Sequence, residues 1–93
     1  MNRIVYRVHA IDRMIERRIS DEVIHHVLRA GETIENYPDD RPYPSRLVLG
    51  FFNERPVHIV VADNNEDGET IVITVYEPDP ELWENNFRRR KVL

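Results

Sequence analysis

The sequence predicts an α+β fold in which two N-terminal helices pack on one face of a four-stranded, largely antiparallel sheet. Apolar residues recur at helical spacing over the first third of the chain and alternate with polar residues further on. Turn-forming residues separate the alternating segments. Two helices followed by consecutive antiparallel strands bury their apolar sides by packing as two layers. The chain length of 93 residues predicts a single domain, 1–93.

The segment "HAIDRMIERR" predicts a first helix over residues 9–18. Ile11, Met14 and Ile15 fall three or four positions apart, and Ile19 continues the same series. We expect these side chains to form the buried face of the helix.

The segment "RISDEVIHHVLRAGE" predicts a second helix with recognisable ends. Ser20 is a suitable N-cap residue, and the acidic residues Asp21 and Glu22 suit the first turn, where the helix dipole favours negative charge. Gly31 is expected to close the helix in the left-handed conformation.

Four segments after the helices show the period of two that is typical of strands. They are "TIENY" from Thr33, residues 46–52, residues 56–62 and residues 70–76. A tight hairpin is expected at 53–55 and a longer one at "DNNEDG". A short extended lead containing Ile4 and Tyr6 precedes the first helix and is not counted as a strand.

The last strand is predicted to have a core face and a polar face that stays available for function. Ile71, Ile73 and Val75 form the first, and the second carries Thr70, Val72, Thr74 and Tyr76. Beyond this strand, Trp83 and Phe87 lie four residues apart and predict a last helical turn.

Composition excludes several classes of protein. The chain has no cysteine, which removes disulfides and thiolate metal sites, and no apolar run reaches the roughly 20 residues that span a bilayer. We therefore expect a cytoplasmic protein that has no membrane partner. The net charge of −4 is unevenly distributed: +2 over residues 1–30, −10 over 31–87 and +4 over 88–93. Both ends are basic, so an anion site beside the first helix is compatible with this distribution.

A stripe of one histidine and two arginines is the main chemical signal. His9, Arg13 and Arg17 are spaced four residues apart, so on a helix they project from the same side. A bound phosphate would offset the repulsion between the arginines, and the helix start favours an anion and a neutral imidazole there. The alternative is that His9 caps the helix and the arginines pair with nearby acids.

Other candidate residues lie later in the chain. Tyr43 and Arg46 belong to the proline-rich loop and the strand after it, and Thr74 and Tyr76 belong to the last strand. His58 should lie on the opposite sheet face from its neighbours and is interpreted as a hydrogen-bonded structural histidine. Adjacent histidines on a helix point about 100° apart and cannot chelate together, so neither a metal nor another cofactor is predicted.

The motif His9, Ala10, Arg13, Met14, Arg17, together with the segments "YRVHAIDRMIERRIS" and "ITVYEPDPELWENNFRRR", closely resembles a small prokaryotic family known only as a domain of unknown function. That family is grouped with toxin ribonucleases similar to RelE and MqsR, in the barnase, EndoU, colicin and RelE group. Its members are often encoded beside a small zinc-finger or helix-turn-helix antitoxin. The resemblance implies a RelE/barnase-like fold and a cognate antitoxin as partner.

The resemblance also implies an activity, metal-independent RNA cleavage in which the ribose 2′-hydroxyl attacks the adjacent phosphorus. His9 would act as base or acid, and Arg13 and Arg17 would hold the phosphate. Tyr76 or Thr74 would supply a hydroxyl. Arg46 would assist in binding the substrate, with Tyr43 beside it. Such toxins are usually basic and often use catalytic lysines, whereas this chain is acidic and Lys91 is its only lysine.

Two other functions remain open on the sequence. The first is a non-catalytic interaction module whose arginine stripe docks an acidic partner segment. The second is an RNA-binding accessory domain without catalysis, whose binding would depend steeply on salt.

Overall fold

The computed structural model describes residues 2–92 as two helices and a five-stranded mixed sheet. The helices are α1 (Val8–Arg17) and α2 (Asp21–Ala30). The strands are β1 (Arg3–Tyr6), β2 (Glu32–Tyr37), β3 (Ser45–Phe52), β4 (Arg55–Asn64) and β5 (Glu69–Tyr76), in the sheet order β1-β5-β4-β3-β2. The α+β class, the two helices and the antiparallel run from β2 to β5 are therefore confirmed.

The predicted sheet of four strands was one strand short. The lead that contains Ile4 and Tyr6 forms β1, which pairs in parallel with β5 from Arg3–Glu69 to Tyr6–Val72. β1 and β5 lie at opposite ends of the fold's chain order and pair in parallel, so no tight turn joins them. The sequence therefore contains no hairpin signal for this pairing. Ile4 and Tyr6 pack against the core, and this burial explains why so short a segment is held in the sheet.

The main core lies between the helices and one face of the sheet. Side chains from both helices meet β3, β4 and β5 there; the fully or nearly fully buried members are Ala10, Ile19, Val23, Ile24, Val27, Val48, Val57, Ile59, Val61, Val72 and Val75. α1 packs against β5, and α2 packs mainly against β3. The N-cap predicted at Ser20 is confirmed, because its hydroxyl accepts a hydrogen bond from the amide of Val23 at 3.3 Å.

The predicted buried face of α1 was wrong in part. Ala10 is the fully buried position, whereas Ile11 and Ile15 are 43% and 72% exposed. Successive residues turn by about 100°, so a helix that rests on Ala10 and Met14 directs Ile11 and Ile15 toward its outer side. The small side chain of Ala10 lets the helix approach β5 closely.

Gly31 ends α2 in a different way from the one predicted. Its backbone is extended, with φ −81° and ψ −175°, and it leads directly into β2. A Cβ atom built there would lie 2.5 Å from the carbonyl oxygens of both Leu49 and Val27. Glycine is therefore required by close backbone approach and not by a left-handed conformation.

A β-bulge changes which residues of β5 face the helices. Val61 pairs with Val72 and Val60 pairs with Thr74, so Ile73 is the extra residue. Val72 and Val75 consequently both belong to the helix-side core, which corrects the assignment of Val72 to a polar face. Thr74 and Tyr76 alternate with Val75 and lie on the opposite face, as expected.

The opposite face of the sheet is partly covered and not open as predicted. The C-terminal segment, residues 79–92, folds across it, and Trp83 is only 5% exposed. Trp83 pairs with Arg90 in an isolated β-bridge, so the helical turn predicted around Trp83 and Phe87 is replaced by turns and this bridge. Within residues 2–92, neither helix has the length and apolar character needed to span a bilayer.

Candidate functional site at the free edge of the last strand

The start of α1 is attached to the middle of β5. The main-chain amide of Arg7 donates to the carbonyl oxygen of Val72 at 3.0 Å, just after the last residue of β1. His9 follows on the first turn of α1 and is exposed. The first residue of the predicted stripe therefore lies beside the point where β5 loses its β1 partner.

The end of α1 is attached to the end of β5 through Arg55. Its guanidinium donates to the carbonyl oxygens of Arg17 at 2.6 Å and Arg18 at 3.0 Å, and it also pairs with Glu77. These contacts place a positive charge at the negative end of the helix dipole. They also fix the far end of α1 next to the residue that follows β5.

These two attachments make α1 run alongside the second half of β5. Ten helical residues rise about 15 Å, and five residues of extended strand span about 16 Å. From Ile73 to Tyr76 the edge of β5 on this side has no strand partner among the described residues, because β1 pairs only as far as Val72. The helix therefore follows the free edge of the strand that carries Thr74 and Tyr76.

The two arginines of the stripe differ in their surroundings. Arg13 is partly exposed and forms an ion pair with Glu16 at 2.6 Å. Arg17 is exposed at the end of α1. The apolar groove beside α1 is lined by Ile11, Met14 and Ile15 and belongs to another side of the helix. The stripe thus faces away from this groove.

Tyr76 is paired with His58, a partner that sequence reasoning did not assign to it. The Tyr76 hydroxyl lies 3.2 Å from Nδ1 of His58, and Nε2 of His58 lies 2.8 Å from the carbonyl oxygen of Phe87. His58 is fully buried and meets the rings of Tyr76 and Trp83 edge to face. It lies on the sheet face opposite Val57 and Ile59 and is hydrogen-bonded, as predicted.

Burial shifts the pKa values of both members of this pair. Desolvation lowers the pKa of His58 below its usual 6.5, and its hydrogen bond to Phe87 offsets part of this effect. Desolvation raises the pKa of Tyr76; the charges of Tyr37 and Glu35 add to the rise and Arg90 opposes it. A neutral imidazole and a protonated phenol are therefore the favoured forms at neutral pH.

Tyr43 lies near the start of α1. A cavity of about 520 Å³ is bounded by the proline-rich loop on one side and by Arg7 and Val8 on the other. The Tyr43 hydroxyl accepts a hydrogen bond from the side-chain amide of Asn64 at 3.0 Å, which fixes the loop over this cavity. The cavity also contains Asp67 and Glu69, so its lining has charges of both signs.

Arg46 lies apart from the other candidates. It pairs with Asp63 at 2.8 Å and donates to the Thr33 hydroxyl at 3.1 Å. Arg46 and Asp63 border a cavity of about 260 Å³ between α2 and the sheet, whose lining includes His25 and Arg29. The guanidinium of Arg46 is thus occupied by protein partners on the helix side of the sheet.

The candidates therefore fall into three locations. His9, Arg13 and Arg17 follow the free edge of β5, and Tyr43 lies close to the start of that line. Thr74 and Tyr76 lie on the sheet face opposite the helices, where the Tyr76 side chain contacts His58 of β4. Arg46 lies beneath α2. Within the described part of the chain, no group of three or more histidine, aspartate or glutamate side chains is arranged to hold a metal ion.

His58 was missed as the partner of Tyr76 because of the register of the hairpin. Ala62 pairs with Ile71, and an antiparallel ladder without a bulge would continue from this pair to place Val75 opposite His58. The bulge at Val60 and Val61 shifts the register by one residue and brings Tyr76 opposite instead. The alternation of polar and apolar residues gives no sign of this shift.

The fold and the free-edge site define a small α+β domain in which α1, the helix that carries the stripe, flanks the last strand. Residues 6–77 match the family described as a domain of unknown function, DUF4258. This match covers well over half of the chain, and the protein belongs to that family. It extends from the end of β1 to just past β5 and leaves out the C-terminal segment. No curated protein and no solved structure matches the chain.

Proposed function

We propose that this protein is a metal-independent RNA endonuclease that binds its substrate around the free edge of β5. The observation that carries the proposal is the double attachment of α1, by Arg7 to Val72 and by Arg55 to the helix end. It holds the stripe alongside the strand that bears Thr74 and Tyr76. The stripe motif resembles a family of unknown function that is grouped with toxin ribonucleases, and this grouping supports the same function.

The proposed reaction is an attack of the ribose 2′-oxygen on the adjacent phosphorus. The bond from phosphorus to the 5′ oxygen breaks, which leaves a 2′,3′-cyclic phosphate and a 5′-hydroxyl. Arg13 and Arg17 stabilise the negative charge on the phosphoryl oxygens, and His9 takes the proton of the 2′-hydroxyl and delivers it to the leaving 5′ oxygen. The Tyr76 hydroxyl holds the attacking group, with Thr74 beside it. Tyr43 contacts the neighbouring nucleotide.

Arg46 has a supporting place in this proposal. Its ion pair with Asp63 occupies the guanidinium beneath α2 and away from the stripe, so any effect on RNA binding passes through β3 and β4. The proposed partner is a cognate antitoxin that covers the stripe and blocks RNA.

Cleavage of RNA by the purified chain in the presence of a chelator tests the proposal. We expect cleavage by the wild type, and a loss of about 100-fold or more in rate for His9→Gln and for Arg13→Met. His26→Gln is the matched control, because His26 lies on α2 against Phe52 and away from the stripe. Thermal denaturation of each variant verifies that it is folded. Intact RNA with folded wild-type protein would contradict the proposal.

A non-catalytic interaction module is the second candidate, and the exposed apolar side chains of α1 favour it. Val8 is 75% exposed, and Ile11 and Ile15 border a groove with Tyr6 and Ile19. Arg18 and Asp21 provide charges at the rim of this groove. Such a surface suits a partner segment that combines apolar and acidic residues.

The two candidates respond differently to substitutions on α1. If the module is the function, Arg13→Glu and Ile15→Asp both abolish complex formation with the protein encoded beside this chain, and no RNA is cut. If the nuclease is the function, Arg13→Glu abolishes cleavage whereas Ile15→Asp leaves the cleavage rate unchanged, since Ile15 lies outside the stripe.

A further inference from the structure

The helix-side face of the sheet changes from apolar to polar at the end where β1 and β5 begin. Further along this face, β3, β4 and β5 each contribute a buried valine to the core beneath the helices: Val48, Val61 and Val72. Two positions nearer the end of the sheet, and therefore on the same face, the three strands carry Arg46, Asp63 and Thr70. Polar residues on three neighbouring strands indicate that this end of the face is not part of the apolar core.

These three polar residues form the sheet side of the cavity of about 260 Å³ beside α2. Leu28 and Arg29 line it from α2, and Asn2 and Ile4 line it from the first residues of the chain. The apolar side chains of Ile4 and Leu28 are partly buried and pack against the core. The cavity therefore combines apolar walls with a polar base, and its volume lies just below the range of about 300 to 1,000 Å³ that is typical of sites for drug-sized ligands. It suits a smaller molecule.

Hydrogen bonds hold Arg46 in place and leave part of its guanidinium available. Its Nε donates to Oδ2 of Asp63 at 2.8 Å, its Nη1 donates to the Thr33 hydroxyl at 3.1 Å, and its Nη2 lies 3.5 Å from Oδ1 of Asp63. Each Nη atom thus keeps one N–H group that has no partner among the described residues. The Asp63 carboxylate also accepts a hydrogen bond from Thr70 at 3.2 Å, so it is engaged by the protein itself.

The charges that line the cavity favour an anion. Arg46 and Asp63 form an ion pair, whereas Arg29 forms no ion pair within residues 2–92. Two arginines and one aspartate give the lining a net charge of +1 when His25 is counted as neutral. The whole chain has a net charge of −4, so this cavity is a positive region on an acidic protein.

We propose that this cavity is a binding site for a small organic anion whose carboxylate or phosphate group is attached to an apolar body. The anionic group is held by Arg29 and by the remaining N–H groups of Arg46, since charge-assisted hydrogen bonds from guanidinium groups suit both kinds of anion. The apolar body lies against Ile4 and Leu28 and adds affinity through burial. No residue of α1 lines the cavity, so the site is separate from the stripe and independent of the proposed nuclease.

NMR titration of the isotope-labelled full chain with four probes tests the proposal. Phenyl phosphate and benzoate each combine a ring with an anionic group, whereas inorganic phosphate supplies the charge alone and benzyl alcohol the ring alone. We expect phenyl phosphate or benzoate to shift the signals of Leu28, Thr70 and the Arg46 side chain. That probe should bind about tenfold or more tightly than inorganic phosphate and benzyl alcohol. The tighter of the two ring-bearing anions identifies the ligand as a phosphate ester or a carboxylate.

Substitution of Arg29 tests the cationic side of the site. Arg29→Gln should weaken binding of the tighter probe by about tenfold, because it removes a charged donor at the exposed end of α2. Arg89→Gln is the matched control: Arg89 is exposed, pairs with Glu84 on the C-terminal segment and does not line the cavity. Thermal denaturation verifies that both variants are folded.

Three results would overturn the proposal. The first is the absence of shifts at Leu28 and Thr70 with both ring-bearing anions, including the case in which the shifts are confined to the stripe on α1. The second is equally tight binding of benzyl alcohol, which would show a purely apolar cavity. The third is an equal effect of Arg29→Gln and Arg89→Gln. RNA cleavage is measured separately, so none of these results decides whether the chain is a nuclease.

Discussion

The guanidinium of Arg55 donates a hydrogen bond of 2.6 Å to the carbonyl oxygen of Arg17, at the last residue of α1. The contact joins two residues that are 38 positions apart in the chain and that belong to different layers of the fold. Together with the pairing of Arg55 to Glu77, it connects the helix, β4 and the end of β5.

Replacing Arg55 by glutamine should therefore loosen the end of α1. We expect a loss of about 1 to 2 kcal/mol in the free energy of unfolding, because two helix carbonyls lose a charged donor. Urea denaturation measures this loss. Arg3→Gln is the control, since Arg3 pairs with Glu69 at the sheet edge and its side chain is 72% exposed. Equal stability of the two variants would contradict the role given to Arg55.

Replacing Gly31 by alanine should be severely destabilising. The new Cβ would meet two backbone carbonyl oxygens at 2.5 Å, and neither can move without shifting α2 or β3. We expect a loss of more than about 2 kcal/mol. Gly68→Ala is the matched control: Gly68 has a φ of 66° with open space around it, so only the conformational cost of about 1 kcal/mol applies. A smaller loss of stability in Gly31→Ala than in Gly68→Ala would contradict the close approach of Gly31 to the carbonyl oxygens of Val27 and Leu49.

The buried imidazole of His58 should make stability depend on pH. Its pKa in the folded protein is below 6.5, so the unfolded chain binds a proton first as the pH falls. The stabilising effect of the neutral ring is complete above the unfolded pKa and is lost as pH decreases from about 6.5 toward the folded pKa, at up to about 1.4 kcal/mol per pH unit. Urea denaturation of the wild type and of His58→Gln between about pH 7.5 and about pH 5.5 measures the difference. The same slope in both proteins would contradict the prediction.

The ion pair of Arg46 and Asp63 should contribute more to stability than to RNA cleavage. Both side chains are partly buried, and Asp63 also accepts a hydrogen bond from Thr70 at 3.2 Å. Arg46→Met leaves a partly buried carboxylate without its main partner, and we expect a loss of about 1 to 3 kcal/mol. The cleavage rate of the folded variant should change less than tenfold, far less than for Arg13→Met. A loss of more than about tenfold in the cleavage rate of folded Arg46→Met would show that Arg46 takes part directly in the site.

Much of the fold follows from sequence periodicity. The helices, the four longer strands and the Ser20 cap were predictable, because each has a local signal in spacing or in turn residues. The positive φ values of Asn53 (52°) and Glu54 (66°) likewise fit the tight hairpin expected there. β1 was not predictable, because a four-residue parallel strand depends on a distant partner and not on a turn.

The candidate site was predictable only in part. Spacing placed His9, Arg13 and Arg17 on one side of α1, but it also assigned Ile11 and Ile15 to the core. The helix instead rests on Ala10 and Met14, which directs both isoleucines outward. The pairing of Tyr76 with His58 depends on one extra residue in a strand. A shift of one residue in register reverses the faces of a strand, and no local property of the sequence revealed it.

The most direct test of the proposed function uses a DNA oligonucleotide with a single ribonucleotide, incubated with the purified full chain and a chelator. Because the 2′-hydroxyl is the attacking group, we expect one cut, immediately 3′ of the ribonucleotide, that leaves a 2′,3′-cyclic phosphate end. Mass spectrometry of the fragments identifies that end. Cleavage at deoxynucleotides, or no cleavage by protein that is shown to be folded, would contradict it.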